Sequence, residues 1–273
     1  AEQQFVLTCR MIPEADCVVT VPASSEVCVR SQQADVHAKL TDINRLSEST
    51  LSFTVSGDQV RAMHFLPGQY VNVQVPGTDQ SRAYSFSSMV NQDDESVSFL
   101  IRVVPEGLMS TYMAENANVG DNITLRGPFG SFYLREDSDR PIIFMAGGTG
   151  FAPIKGIIEH ALHIGITRPM HLYWGVRSKR DLYMHELPTK WAAEHDNITY
   201  VPVLSDPQPE DNWQGRTGYV HEAIMADFDD LSGFDIYAGG PPQMVHAGFD
   251  AFATKGLIED HYFSDSFEYA KDS

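Results

Sequence analysis

The sequence predicts two domains: an antiparallel six-stranded β-barrel or sandwich, then a doubly wound α/β domain on a parallel five-stranded sheet. Three observations carry this. The chain has 273 residues, 42% of them apolar, enough for the cores of roughly two domains. From about Ala34 to Phe132, short apolar segments of period two recur between Gly, Pro, Asn and Asp turns. From Pro141 the rhythm changes to strand and helix in alternation, the mark of parallel strands joined by crossover helices.

In order, the strands of the first half are VHAKLTDI, TLSFTV, QYVNVQV, RAYSFS, SVSFLIRV and NITLRG, with one short helical piece from Ser110 to Glu115. A cluster of Arg, Glu, Asp and Ser over Leu134 to Arg140 predicts the linker. PIIFMAG is then a buried strand. GFAPIKGIIEHALHIG is a helix, with Ile154, Ile157, Ile158, Ala161 and Leu162 on one face and Gly165 at its end. HLYWGV, ITYVPVLS, FDIYAGG and HYFSDSF are the remaining strands. Between them, Tyr183 to Glu194 reads as helix with a break near Pro188. VHEAIMADF and PPQMVHAGFDAFATKG read as further helices. Right-handed crossovers make the sheet doubly wound.

The formal charge is −18, which repels phosphate backbones and excludes nucleic acid as a partner. An acidic surface serves solubility more often than docking to a basic partner. No apolar run approaches a membrane span, and AEQQFVLTCR has no signal-peptide layout, so cytoplasm is the expected compartment. Three cysteines without CxxC spacing argue against a disulfide framework and a zinc site. His160 and His163 read as surface groups.

Two glycine-rich turns carry candidate chemistry. Gly147-Gly148-Thr149-Gly150-Phe151-Ala152-Pro153 joins the first buried strand to its helix, where free N–H groups and the dipole favour a pyrophosphate. It is not GxGxxG, and alone it is a tight turn about as often as a phosphate cradle. Gly239-Gly240-Pro241-Pro242 closes a later strand and opens a helix. Two such openings at strand ends point to one extended ligand.

RAYSFSS, GLMSTYM, RGPFGSF, GGTGFAP and YAGGPPQM occur in this order. Together they resemble the ferredoxin–NAD(P) reductase family over about Ala34 to Phe267. The resemblance implies an FAD-binding barrel over 30–134 and an NAD-binding domain over 135–273. It implies that Arg82 pairs with the FAD pyrophosphate, that Tyr84 packs on the isoalloxazine and that Ser85 bonds near the hydride-accepting nitrogen. Outside that context Arg82 reads as a surface cation and Tyr84 as a core aromatic. The family's second flavin element matches Gly107, Leu108, Met109, Ser110 and Thr111, with Ile101 and Val103 lining the adenosine or ribityl side. Thr149 would face the flavin, Gly147, Gly148, Gly150 and Pro153 the nucleotide, and Phe267 would lie against the flavin. Asp265 matches an acidic residue near the nicotinamide; a solvated strand charge is an equal reading. Ser85, Thr149 and Asp265 are thus the expected catalytic set. Where the family usually has Cys before Gly-Pro, this sequence has Gly239, followed by Gly240 and Pro241. NADPH users often carry Ser-Arg after the third parallel strand. Ser205-Asp206 stands here, so Asp206 favours NADH, against the basic run Arg177, Lys179 and Arg180.

Residues 1–29 resemble the tail of a plant-type [2Fe–2S] ferredoxin domain, with Cys9 matching its fourth ligand. The other three ligands are absent, so the chain as given is not expected to hold a cluster, although a full-length parent would. Such a fusion resembles the reductase component of benzoate- or anthranilate-type ring dioxygenases. The implied path runs from NADH to FAD as hydride, then as single electrons through the cluster to the terminal oxygenase. Two alternatives stay open: a reductase for a monooxygenase, soluble ferredoxin or free flavin, and a non-catalytic nucleotide-binding or docking module.

Overall fold

The computed structural model of the chain describes residues 34–89, 93 and 95–267. Cys9 and the ferredoxin-like segment 1–29 lie outside the described residues. Six antiparallel strands form the first sheet: β1 (Ala34–Ser47), β2 (Thr50–Ser56), β3 (Tyr70–Gln74), β4 (Ser81–Ser85), β5 (Ser96–Arg102) and β6 (Asn122–Phe129). Their spatial order is β4-β3-β6-β1-β2-β5. Alternation decides what faces the core. Along β2, Leu51, Phe53 and Val55 are buried while Ser52 and Thr54 between them stay half-buried on the other face. A bridge from Phe86, just past β4, to Phe99 of β5 joins the two ends of the sheet and closes the barrel.

The helical piece after β5 begins earlier than its sequence suggests. It comprises α1 (Leu108–Thr111), which runs into a π-helical turn over Tyr112–Asn116. Gly107, not a serine, precedes its first residue as the N-cap.

The second sheet is fully parallel: β7 (Ile142–Gly147), β8 (Met170–Val176), β9 (Ile198–Leu204), β10 (Arg216–Thr217), β11 (Asp235–Gly240) and β12 (Tyr262–Ser266). It has six strands rather than five. The extra one, β10, is two exposed polar residues beside β9 and has no apolar period to announce it. The order is β10-β9-β8-β7-β11-β12. The chain builds outward from β7 in one direction, then returns to lay β11 on its other side. The switch point is therefore between β7 and β11.

Helices α2 (Phe151–His163) and α3 (Glu186–Glu194) cover one face; α4 (Val220–Asp227) and α5 (Pro242–Ala253) cover the other. All six residues of β7 are buried because both faces are covered. Ile142, Phe144 and Ala146 join Ile154, Ile157 and Trp191 on one side. Ile143 and Met145 join Ile224, Val245 and Phe252 on the other. Pro188 does not break α3, since it stands in the first turn where a backbone N–H has no intrahelical partner.

The domains share packing. Leu100, Phe132 and Leu134 from the barrel side belong to the same core cluster as α2. At the N-terminal end of β11, Asp235 is 1% exposed and accepts from Arg168 at 3.0 Å; His261 Nδ1 lies 2.8 Å from its other oxygen. Arg168 also donates to the carbonyls of Arg135 and Arg140, fixing the connecting segment. Among the described residues no helix is long and apolar enough to cross a membrane.

Candidate active site between the two domains

The two glycine-rich turns follow β7 and β11, on either side of the switch point. They touch backbone to backbone: a Cβ on Gly150 would lie 2.0 Å from the Gly239 carbonyl oxygen, and one on Gly239 would lie 2.6 Å from that of Gly150. Gly148 has φ +54°, the left-handed region that glycine enters without strain, and nothing lies within 4 Å of where its Cβ would stand. Its carbonyl accepts two donors, Trp174 Nε1 at 3.0 Å and the Tyr183 hydroxyl at 3.3 Å. Trp174 is itself stacked on Phe151 at 4.2 Å. The buried Trp174 and the half-buried Tyr183 thus hold the turn, whose N–H groups stand at the start of α2, where a helix leaves its first donors without intrahelical partners.

A cleft of about 1130 Å³ opens over these strand ends, just above the ~300–1,000 Å³ usual for small-molecule sites. Of the residues singled out in the sequence, Gly147, Gly148, Thr149, Asp206, Pro241 and Phe267 line it. Gly150, Pro153, Gly239 and Gly240 lie behind them: Gly150 and Pro153 are buried, and so is all of β11 through Gly240. Phe267 is anchored by its N–H, which donates to the Gly240 carbonyl at 3.0 Å. Arg177 also lines the cleft, 3.5 Å from Asp206 across an exposed ion pair.

The barrel side presents β4. Arg82 donates to the Ser81 carbonyl and to Gln80 Oε1, both at 3.0 Å. The half-buried Tyr84 ring packs edge-on against Phe53 at 5.9 Å, and burial raises its hydroxyl pKa. Ser85 turns the other way, and its hydroxyl donates to Asp265 Oδ2 at 2.7 Å. Asp265 lies on β12 in register with Gly239. An edge strand of each sheet therefore meets the other at this pair. Burial pushes the Asp265 carboxyl up to about 6, the Ser85 hydrogen bond partly offsetting the loss of hydration.

The second flavin element is less open than its sequence suggests. Met109 and Ile101 are each 1% exposed and belong to the barrel core, because β5 and α1 face inward at those positions. Val103 is half-buried at the rim of that core. The buried Ser110 hydroxyl ties its own loop: it accepts the Val104 N–H at 3.1 Å and reaches the carbonyls of Val104 and Gly107. Gly107 admits this contact, since a Cβ there would stand 2.7 Å from Ser110 Oγ. Thr111 follows, half-buried.

Residues 37–133 match the oxidoreductase FAD-binding domain model and 144–248 the oxidoreductase NAD-binding domain model. The toluate 1,2-dioxygenase electron transfer component of Pseudomonas putida is 42% identical, covering 98% of this chain and 77% of that protein. The chain belongs to the FAD- and NAD-binding ferredoxin reductase family. The 2-halobenzoate 1,2-dioxygenase electron transfer component of Burkholderia cepacia is 38% identical over 98% of this chain and 77% of its own length. Among solved structures, the Amycolatopsis cytochrome P450 reductase GcoB superposes with a TM-score of 0.79 at 30% identity, covering 87% of this chain and 71% of that one.

The glycine turns of this reductase leave room for the nucleotide of its family, whereas Arg82, Tyr84 and Ser85 of β4 are not among the residues lining this cleft. The cradle at Gly148 is open where a side chain would fill it, and the cleft joins both domains, since Ser49, Thr50 and Arg102 of the barrel line it too. The sequence reading missed several contributors. Trp174 and Tyr183 carry no signal beyond an apolar strand and a helix start. Tyr219, 63% exposed at the cleft rim and stacked on His221 at 5.8 Å, belongs to no motif in the sequence.

Proposed function

We propose that this reductase takes hydride from NADH into FAD and delivers single electrons to an aromatic-ring-hydroxylating dioxygenase. The observation that carries the reading is the contact of Ser85 with Asp265, which brings the flavin strand of the barrel to the end of the nucleotide sheet. When bound, FAD accepts two electrons as hydride and releases them one at a time.

The chain's own residues supply placement and electrostatics. Arg82 on β4 holds the FAD pyrophosphate through a guanidinium fork that lysine lacks, and Tyr84 provides a ring to pack on. Gly107, Met109, Ser110 and Thr111 shape the neighbouring loop. On the other side, the N–H groups of Gly148, Thr149 and Gly150 receive the NADH pyrophosphate, and Tyr219 offers a flat face to the adenine. Asp206 accepts a ribose hydroxyl, repels an added phosphate and draws Arg177 to itself, which favours NADH over NADPH. Thr149 and Phe267 border the nicotinamide place, and Pro241 lines the cleft wall. Ser85 and Asp265 hold a proton-exchangeable pair beside it. Gly239, where the family usually has a cysteine, leaves hydride alignment to these neighbours.

The oxygenase as acceptor is supported by the toluate and halobenzoate relatives. The likeness to GcoB supports a second reading, in which the acceptor is a cytochrome P450 monooxygenase. In a parent protein carrying the upstream ligands, Cys9 completes a [2Fe–2S] relay.

The test is anaerobic. The FAD-loaded chain is mixed with NADH and, separately, NADPH, and flavin bleaching is followed. Fast bleaching by NADH and at least tenfold slower bleaching by NADPH is expected; bound flavin that neither nucleotide reduces sinks the reading. Turnover by the ring-dioxygenase component but not by a P450, each supplied with the reduced chain and a [2Fe–2S] ferredoxin as relay, decides the acceptor.

A further inference from the structure

We propose that Lys155 is a positioning residue that sets the spacing between the two half-sites. Lys155 stands one turn into α2, the helix that begins directly after Thr149 and Gly150. Its ammonium group reaches across the domain boundary and donates to the Ser87 carbonyl at 2.8 Å. Ser87 lies two residues beyond Ser85, on the segment that carries β4 out of the site.

That carbonyl has few other options. Ser87 is 1% exposed, and its N–H and hydroxyl both donate to the Ser98 carbonyl, at 3.0 and 2.8 Å. Leaving its own carbonyl unmet would cost a desolvated acceptor. The lysine side chain is 12% exposed, and Glu159, one turn further along α2 at 2.8 Å, balances its charge. The helix comes close enough for this contact because position 156 is glycine: a Cβ there would lie 3.0 Å from the Phe86 carbonyl oxygen. One rigid helix therefore carries the nucleotide turn at its start and grips the flavin strand one turn later. Ion pairing to Glu159 alone would not require a lysine pointed at the barrel; the cross-domain bond does.

The function follows from the demands of hydride transfer, where a displacement of about 1 Å costs up to a hundredfold in rate. This inference rests on the NADH-to-FAD reading above.

The experiment compares wild type, Lys155→Met and Lys155→Arg, all loaded with FAD. Single-turnover bleaching counts only flavin-loaded molecules, so weaker loading does not distort the rate. At saturating NADH, Lys155→Met is expected to bleach about tenfold to a hundredfold more slowly. The NADH concentration for half-maximal rate should stay within about twofold, and Lys155→Arg, which keeps a donor, should recover most of the rate. Hydrogen–deuterium exchange gives a second readout: amides of 85–89 and 147–152 exchange faster in Lys155→Met, with the rest of the barrel unchanged. Wild-type bleaching rate in Lys155→Met overturns the proposal. So does a protein that fails to fold, since the lysine would then serve the fold and not the spacing. If wild type itself is not bleached by NADH, the functional reading fails, and the exchange pattern still decides whether Lys155 couples the two segments.

Discussion

Asp265 shows how far one side chain's surroundings can be read as a measurable quantity. Burial holds its pKa near 6, above the usual ~3.9 of an aspartate. Between those values the folded chain binds a proton that the unfolded chain has released. Lowering the pH through that window therefore stabilises the fold, and raising it through about 6 removes the gain. Asp265→Asn should flatten this part of the stability profile, by up to about 3 kcal/mol, in urea melts from pH 4 to pH 7. The same variant should lose any inflection near pH 6 in the rate of flavin reduction. Gly150 makes a second prediction at this scale. Its missing Cβ would meet the Gly239 carbonyl at 2.0 Å, a backbone atom that cannot swing aside. Gly150→Ala is expected to cost about 1–3 kcal/mol and to weaken NADH binding; a wild-type melting temperature would refute the close packing of the two turns.

Among the elements, the parallel strands were the most legible in sequence and the small connecting pieces the least. PIIFMAG and FDIYAGG announce themselves because a strand covered on both faces must be apolar throughout, and each ends in glycines that only a ligand or a tight backbone approach explains. β10 escaped because two exposed residues paired to β9 carry no pattern. Pro188 misled because propensity forbids proline inside a helix but not in its first turn. For the site, the motif order singled out β4 and both glycine turns, and HYFSDSF separately singled out Asp265, which the fold brings against Ser85. The motif order did not reveal that Ile101 and Met109 point into the core, since strand phase is ambiguous near a loop for Ile101 and a four-residue helix shows no period for Met109. Nor did it show Trp174 and Tyr183 behind Gly148, because contacts between distant segments leave no local trace. The element with the strongest single dependence is β11, whose first residue is the buried Asp235. Asp235→Ala would strand Arg168 in a dry environment and cost about 3–5 kcal/mol, seen as a lower urea midpoint. The bleaching rate of the protein that remains folded should not change.

For the molecule as a whole, the shared cluster of Leu100, Phe132 and Leu134 with α2 predicts that the domains unfold together. The sequence supplies its own probes. All three tryptophans, Trp174, Trp191 and Trp213, lie in the nucleotide domain, whereas far-ultraviolet circular dichroism reports both. The two signals should trace one transition in urea; a tryptophan change well separated from the dichroism change would show independent domains. One last consequence belongs to β11. It starts in the hydrogen-bonded knot of Asp235, Arg168 and His261 and ends in the glycines of the cleft. Selection for robustness and selection for chemistry thus act on opposite tips of one strand. A change at the upper tip is therefore felt in the cleft first, and one at the lower tip in the stability of the whole sheet.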